Sequence, residues 1–175
     1  YILFVVPGLV MLAVITNSYM DVATTFFVSK FFSRNIDEIL VSPTPPRVII
    51  AGFIASGIIR GMVVGGLVLI VSLFFALPSI AHPFVVLLFL FLSSIVFALG
   101  GLINGIYAKS FDGISIIPTF VLTPLVYLGG VFYSIHSLPP LWQTVSLFNP
   151  VFYLINGFRY GFLGTSDVSL LTSVL

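Results

Sequence analysis

The chain has 175 residues, of which 59% are apolar and only 6% charged; soluble domains carry roughly 25% charged residues, so these side chains cannot wet a soluble surface. Lys plus Arg number 6 against 5 Asp plus Glu, a net charge of +1 that excludes a basic footprint for nucleic acid, and 19 Phe exclude intrinsic disorder. The remaining solvent is the lipid bilayer.

Charge is absent from Tyr1 to Met20, from Gly61 to Ala108 and from Gly113 to Phe158. A helix needs about 20 apolar residues to cross the hydrocarbon core, so each gap holds one or two crossings. The first predicted span covers residues 2–20 and continues as helix toward Lys30, with Pro7-Gly8 as a kink site. It has no basic n-region and no small-residue cleavage site, which sets it apart from a signal peptide. The expectation is a fragment whose start lies upstream. Cysteine is absent, so disulfides and thiolate metal sites are excluded.

Ser29 to Arg47 is the charge-rich stretch. Asn35 followed three residues later by Glu38 has the form of a capping box, and Phe32, Ile36, Ile39 and Leu40 recur at helical spacing, which predicts a short amphipathic helix. Pro43, Pro45 and Pro46 stop it, since proline cannot donate a backbone hydrogen bond. An apolar stripe on a cytosolic helix suggests docking onto a partner or the membrane surface. Asp37 and Glu38 beside Arg34 disfavour anionic lipid and favour a protein.

The second predicted span, residues 48–77, is about 45 Å long at 1.5 Å per residue and exceeds a core of about 30 Å. Assigning the excess to its start places Arg60 near the interface, where its stem can snorkel. The third and fourth spans cover residues 84–107 and 114–133. Pro139-Pro140 and Asn149-Pro150 then cut the stretch 134–167, which contains Tyr153 and Arg159, into pieces too short to cross. Broken backbone at membrane depth needs shielding by protein or a wet cavity, so this region reads as interfacial or re-entrant helices. Residues 168–175 look like the start of a further span. Lys30, Arg34 and Arg47 follow the first span and Lys109 the third, whereas no Lys or Arg follows the second. This asymmetry places both basic loops in the cytoplasm and the start of the chain outside.

Gly57, Gly61 and Gly65 recur every four residues, as do Gly101 and Gly105. Small residues at that spacing let helices approach closely in lipid, although glycine is also simply common in membrane helices. Gly100-Gly101-Leu102-Ile103-Asn104-Gly105 begins like a phosphate loop, but Ile106 stands where lysine is required. His82 and His136 are isolated loop residues without metal-ligand spacing, and no nucleophile elbow accompanies the serines. Asp21, Asp112 and Asp167 all fall away from mid-span, which lowers the case for a proton-coupled carrier. Asn17, Asn104 and Thr123 remain as polar groups able to line a route or to bond between helices. Arg159 reads as a cap on the carbonyl end of a re-entrant helix, a contact for lipid phosphate, or a snorkelling side chain.

Taken in order, several motifs resemble the membrane subunits of ABC-2 type transporters, in particular the YadH-like branch of bacterial inner-membrane permeases. They are Val6-Pro7-Gly8-Leu9; Arg34 through Pro43; Asp112-Gly113-Ile114-Ser115 leading to Pro118-Thr119-Phe120; and Leu128 through Ser134. Leu138-Pro139-Pro140 with Trp142-Gln143, Asn149-Pro150 with Tyr153, and Gly157-Phe158-Arg159-Tyr160-Gly161 follow. The resemblance implies an all-α, polytopic six-helix transmembrane bundle, here lacking its first helix and most of its last. It implies a second permease subunit, in a homodimer, and separate ATP-binding subunits that carry ATP and Mg, with no cofactor bound by this chain. The helix at Arg34 to Leu40 then corresponds to the coupling helix that docks on the ATPase, with Ile36, Ile39 and Leu40 filling its groove. The expected function is export across the bacterial inner membrane by alternating access. The alternatives are a secondary carrier or channel not driven by ATP, and a membrane scaffold.

Overall fold

The computed structural model describes residues 2–32, 35–75, 80–133 and 139–164, and their regular structure is entirely helical. The order is α1 (Ile2–Phe31), α2 (Asn35–Val41), α3 (Pro46–Leu73), α4 (Pro83–Tyr107) and α5 (Phe111–Ile117); a π-helical turn (Pro118–Leu122) leads into α6 (Thr123–Leu128), followed by α7 (Pro140–Leu147) and α8 (Pro150–Leu163). By length and composition four of these stretches can cross a membrane: Leu3–Phe31, Pro46–Leu73, Pro83–Tyr107 and Phe111–Leu128. The segments 134–138 and 165–175, with His136, Asp167 and the expected start of a last span, lie outside the described residues.

α1 is the hub. It packs against α3, α4 and α8 and touches both α2 and the π-helical turn. Its Val10, Met11, Val14 and Ile15 are fully enclosed, and they meet Phe89 of α4 and Ile155, Phe158 and Phe162 of α8 in one core. α3 and the Phe111–Leu128 stretch each bury only 17% of their most apolar window, against 56% for α1. Their outward rows, including Ile59, Val63, Leu67 and Ile70 of α3, suit hydrocarbon rather than water.

Helix ends follow local chemistry. α1 runs unbroken through Pro7. Beside it, Gly8 presses on Val131, whose carbonyl oxygen would stand 2.6 Å from an added Cβ. α3 opens on Pro46 as its first residue, where the missing N–H has no intrahelical acceptor to lose. It closes at Leu73, four residues before the expected end at Leu77, as Phe74 and Phe75 turn back to Val71 and Ser72. The fourth span starts and ends earlier than expected. Ser110 caps α5 by accepting from Gly113 N–H at 3.1 Å, and Gly130, at φ +82°, turns the chain just after α6. Within this span Pro118 and Pro124 lack N–H groups, and Thr123 N–H reaches five residues back to the Pro118 carbonyl. That longer step is the π geometry, a usual way to absorb a disrupted hydrogen-bond ladder.

Candidate functional site

α2 sits at the end of the bundle that also carries Lys30, Arg47 and Lys109. Asp37 and Glu38 are exposed, while Leu40 and Val41 are 64% and 88% exposed. Ile36, in contrast, is 6% exposed. The expected stripe of Ile36, Ile39 and Leu40 therefore does not present itself whole to a partner. α2 packs against α1, so the buried Ile36 anchors the element and Leu40, one turn on, projects from it. Ile39 is half-buried between them. Arg34 and the Asn35 side chain lie outside the described residues, as does any capping box they form. Ser42 terminates α2, its N–H reaching Glu38 and Ile39 carbonyls and its hydroxyl donating to Ile39 at 2.6 Å. Pro45 then holds extended backbone, φ −63° and ψ 139°, and delivers the chain directly into α3. α2 is thus tied to two spanning helices, one at each end.

Around α2 the end of the bundle is stitched by aromatic and cationic groups. Phe27, Phe32 and Phe111 cluster, with Phe27 and Phe111 centroids 4.9 Å apart. Lys30 Nζ donates to the Ile106 carbonyl oxygen at 2.8 Å, placing a cation at the negative end of the α4 dipole.

The glycine rows point at α1. Added Cβ atoms on Gly57, Gly61 and Gly65 of α3 would run into Val22, Ser18 and Val14, and those on Gly101 and Gly105 of α4 would meet the Tyr19 and Ala23 carbonyls. Both rows are therefore the faces through which α3 and α4 approach α1. The phosphate-loop-like run 100–105 lies inside α4, with Gly101 and Gly105 buried against α1, so it cradles nothing.

Arg60 is fifteenth among the 28 residues of α3, and its neighbour Gly61 lies beside Ser94, near the midpoint of α4. Arg60 Nη1 pairs with Asp21 Oδ1 at 3.3 Å, and Ser56 donates its hydroxyl proton to the other carboxylate oxygen. α1 runs ten residues past Asp21. The spanning helices therefore hold a salt bridge, a feature that usually marks function within a membrane.

At the opposite end, α7 and α8 are 8 and 14 residues long, too short to cross. Pro139 and Pro140 open α7, and Asn149 caps α8 by accepting from Val151 N–H at 2.9 Å. Asn149 Nδ2 also donates to the Leu125 carbonyl, joining α8 to α6. Pro150 follows as the first residue of α8, and Tyr153 donates to the Leu147 carbonyl at 2.7 Å. Arg159 is 3% exposed; its Nη2 donates to the Gly130 carbonyl at 2.7 Å, and its guanidinium lies 3.7 Å from the Phe4 ring centroid. The buried side chain braces the turn after α6 rather than the carbonyl end of a re-entrant helix, and it is neither a snorkeller nor a lipid contact. His82 is a loop residue whose ring stacks on Tyr160 at 5.2 Å, while its N–H and that of Ala81 satisfy the Gly161 and Phe162 carbonyls.

Of the polar groups proposed to line a route, Asn104 is buried and donates to the Ile114 carbonyl at 2.9 Å, and Thr123 bonds within its own helix to Pro118. Asn17 bonds to Ala13 and borders the cleft beside Asp21. Two features went unread in the sequence. Gly157 and Gly161 of α8 press on Phe89 and Val86 of α4, and their four-residue spacing was a usable signal. Asp21 and Arg60, 39 positions apart, carried no local signal. Among the described residues no group of three or more His, Cys, Asp or Glu comes together to hold a metal ion.

Residues 1–163 match the family described as ABC-2 type transporter. The inner membrane transport permease YadH of Escherichia coli K12 is 57% identical over 174 residues, 99% of this chain and 67% of that protein, and the permease of the same name from Shigella flexneri aligns equally. Nodulation protein J of Rhizobium leguminosarum bv. trifolii is 32% identical over 93 residues, 53% of this chain and 32% of that protein. No solved structure matches. With the family match covering nearly its whole length and these helices able to cross a membrane, the chain belongs to the ABC-2 type transporter family.

Proposed function

We propose that this membrane permease subunit exports its substrate across the bacterial inner membrane by alternating access, driven by a separate ATP-binding subunit docked on α2. The inner membrane is the location in the name of the 57% identical relative. In this reading two permease subunits pair, ATP and Mg belong to the ATPase, and the helices of the permease supply the route. α2 carries the reading. It offers Asp37, Glu38, Leu40 and Val41 to the cytosol while Ile36 fixes it to the bundle, and it joins α1 to α3. A push on its exposed face therefore moves two spanning helices at once. A conformational equilibrium responds only to differential binding, so the ATPase must hold α2 more tightly in one state than in the other.

Leu40→Asp with Val41→Asp in the intact transporter tests this. The expected result is a permease that inserts normally, no longer co-purifies with its ATPase and no longer stimulates ATP hydrolysis. Unchanged co-purification and stimulation overturn the docking role. Ile36→Asp is the contrasting variant, expected to reduce the folded fraction itself because it buries a charge against the bundle.

A further inference from the structure

Arg60 lies about 20 Å from either end of α3 at 1.5 Å per residue. Any crossing of about 20 residues cut from this 28-residue helix contains Arg60. Pairing with Asp21 leaves 61% of the Arg60 side chain exposed. The guanidinium has five N–H donors, and hydrocarbon offers them no acceptor, so an unanswered donor at this depth is costly. Asp21 has little left to give. One carboxylate oxygen meets Arg60 and the other accepts from Ser56, and its side chain is only 12% exposed. The spare capacity of the pair is cationic and hydrogen-bond donating.

Two recesses share this ion pair. One, of about 250 Å³, is bordered by Asn17, Thr24 and Thr25 of α1; the other, of about 460 Å³, is bordered by Ile59, Val63 and Val64 of α3. The pair thus stands where a polar recess meets an apolar one. Threonine hydroxyls and a planar guanidinium fork suit an oxyanion, and the branched aliphatic wall suits an alkyl chain. We infer that the Asp21–Arg60 cleft binds an anionic amphiphile, its phosphate or carboxylate head on Arg60, Thr24 and Thr25 and its chain along Ile59 and Val63.

Binding to the purified intact protein in neutral detergent tests this without any ATPase, so the result is independent of the coupling role of α2. The probes are phosphatidylglycerol and phosphatidylcholine with identical acyl chains. The expected result is at least a tenfold preference for phosphatidylglycerol, abolished by Arg60→Gln. Asp21→Asn is expected to raise phosphatidylglycerol affinity severalfold, because the competing carboxylate is gone while the amide still accepts from Ser56. A purely structural ion pair predicts instead that both variants lose thermal stability and neither changes the preference. Dihexadecyl phosphate distinguishes the sources of the ligand: competition at the Arg60-sensitive site shows that any anionic amphiphile enters, whereas failure to compete assigns the site to glycerophospholipid. Inorganic phosphate competing as strongly as either lipid overturns the role of the chain-binding wall. If Arg60→Gln does not fold, Arg60→Lys, which keeps the charge but not the fork, is expected to reduce the preference. Wild-type protein with no preference overturns the inference by itself.

Discussion

Arg159 of α8 donates to the carbonyl oxygen of Gly130, at the turn that follows α6, across 2.7 Å of buried interior. Hydrogen bonds to charged groups contribute about 1.5–3 kcal/mol, and a desolvated cation on an aromatic face about 2 kcal/mol; Phe4 supplies that face. Arg159→Gln is therefore expected to lower stability by about 2–4 kcal/mol, read as a lower thermal midpoint in detergent. Arg159→Lys keeps the charge but loses the flat stack and should fall between. A glutamine variant that melts like the parent contradicts the bracing role.

Glycines of the same helix separate into two kinds. A side chain on Gly61 overlaps Ser18, whereas Gly66 has nothing within 4 Å of an added Cβ. Gly61→Leu should cost about 1–3 kcal/mol by forcing α3 away from α1, while Gly66→Ala should stabilise by about 0.5–1 kcal/mol through helix propensity alone. Opposite shifts in melting temperature are the expected outcome, and equal shifts contradict the packing assignment.

Asn149 serves two partners with one side chain, capping Val151 N–H and donating to the Leu125 carbonyl. Asn149→Ala removes both and should cost about 2 kcal/mol. Asn149→Ser can still cap but is too short to reach Leu125, so about half of that loss should return. Protease susceptibility of the α6–α8 region is expected to rank alanine above serine above wild type.

Lys30 provides a milder case. Its bond to the Ile106 carbonyl lies at a partly exposed helix terminus, where such cations contribute about 0.3–1 kcal/mol and salt weakens them. Lys30→Met should cost less than 1 kcal/mol by this measure, and Lys30→Glu more, with the difference between the two shrinking as ionic strength rises in the unfolding assay.

α4 is legible because charge is expelled from it, and it begins and ends within one residue of its expected bounds. The short helix α2 is equally visible, since spacing and proline stops are local. Depth is not. Assigning the surplus length of α3 to its start makes Arg60 interfacial, and the level of Arg60 beside the middle of α4 comes only from the packing of Gly61 on Ser18 beside Ser94. Nor could spacing tell which apolar residue of α2 would be covered, because Ile36 and Leu40 share a face and differ only in their distance from α1. The end of the fourth span escaped notice for a related reason. Leu128-Gly129-Gly130-Val131 is uniformly apolar, and what stops the helix is a backbone sign, the positive φ of Gly130, which hydropathy does not register. Arg159 is ambiguous in sequence because its two contacts, the Gly130 carbonyl and the Phe4 ring, are far from it along the chain.

α1, with α2 linked to one end and Phe4 and Gly8 at the other touching Arg159 and Val131, acts as a connecting rod. Thirty residues make it about 45 Å long, so pivoting it by about 5° at the α2 end sweeps the far end through about 4 Å. A displacement of that size exceeds what close-packed glycine contacts tolerate. On the docking role proposed for α2, a movement imposed there therefore requires the Arg159 and Val131 contacts at the far end of α1 to repack.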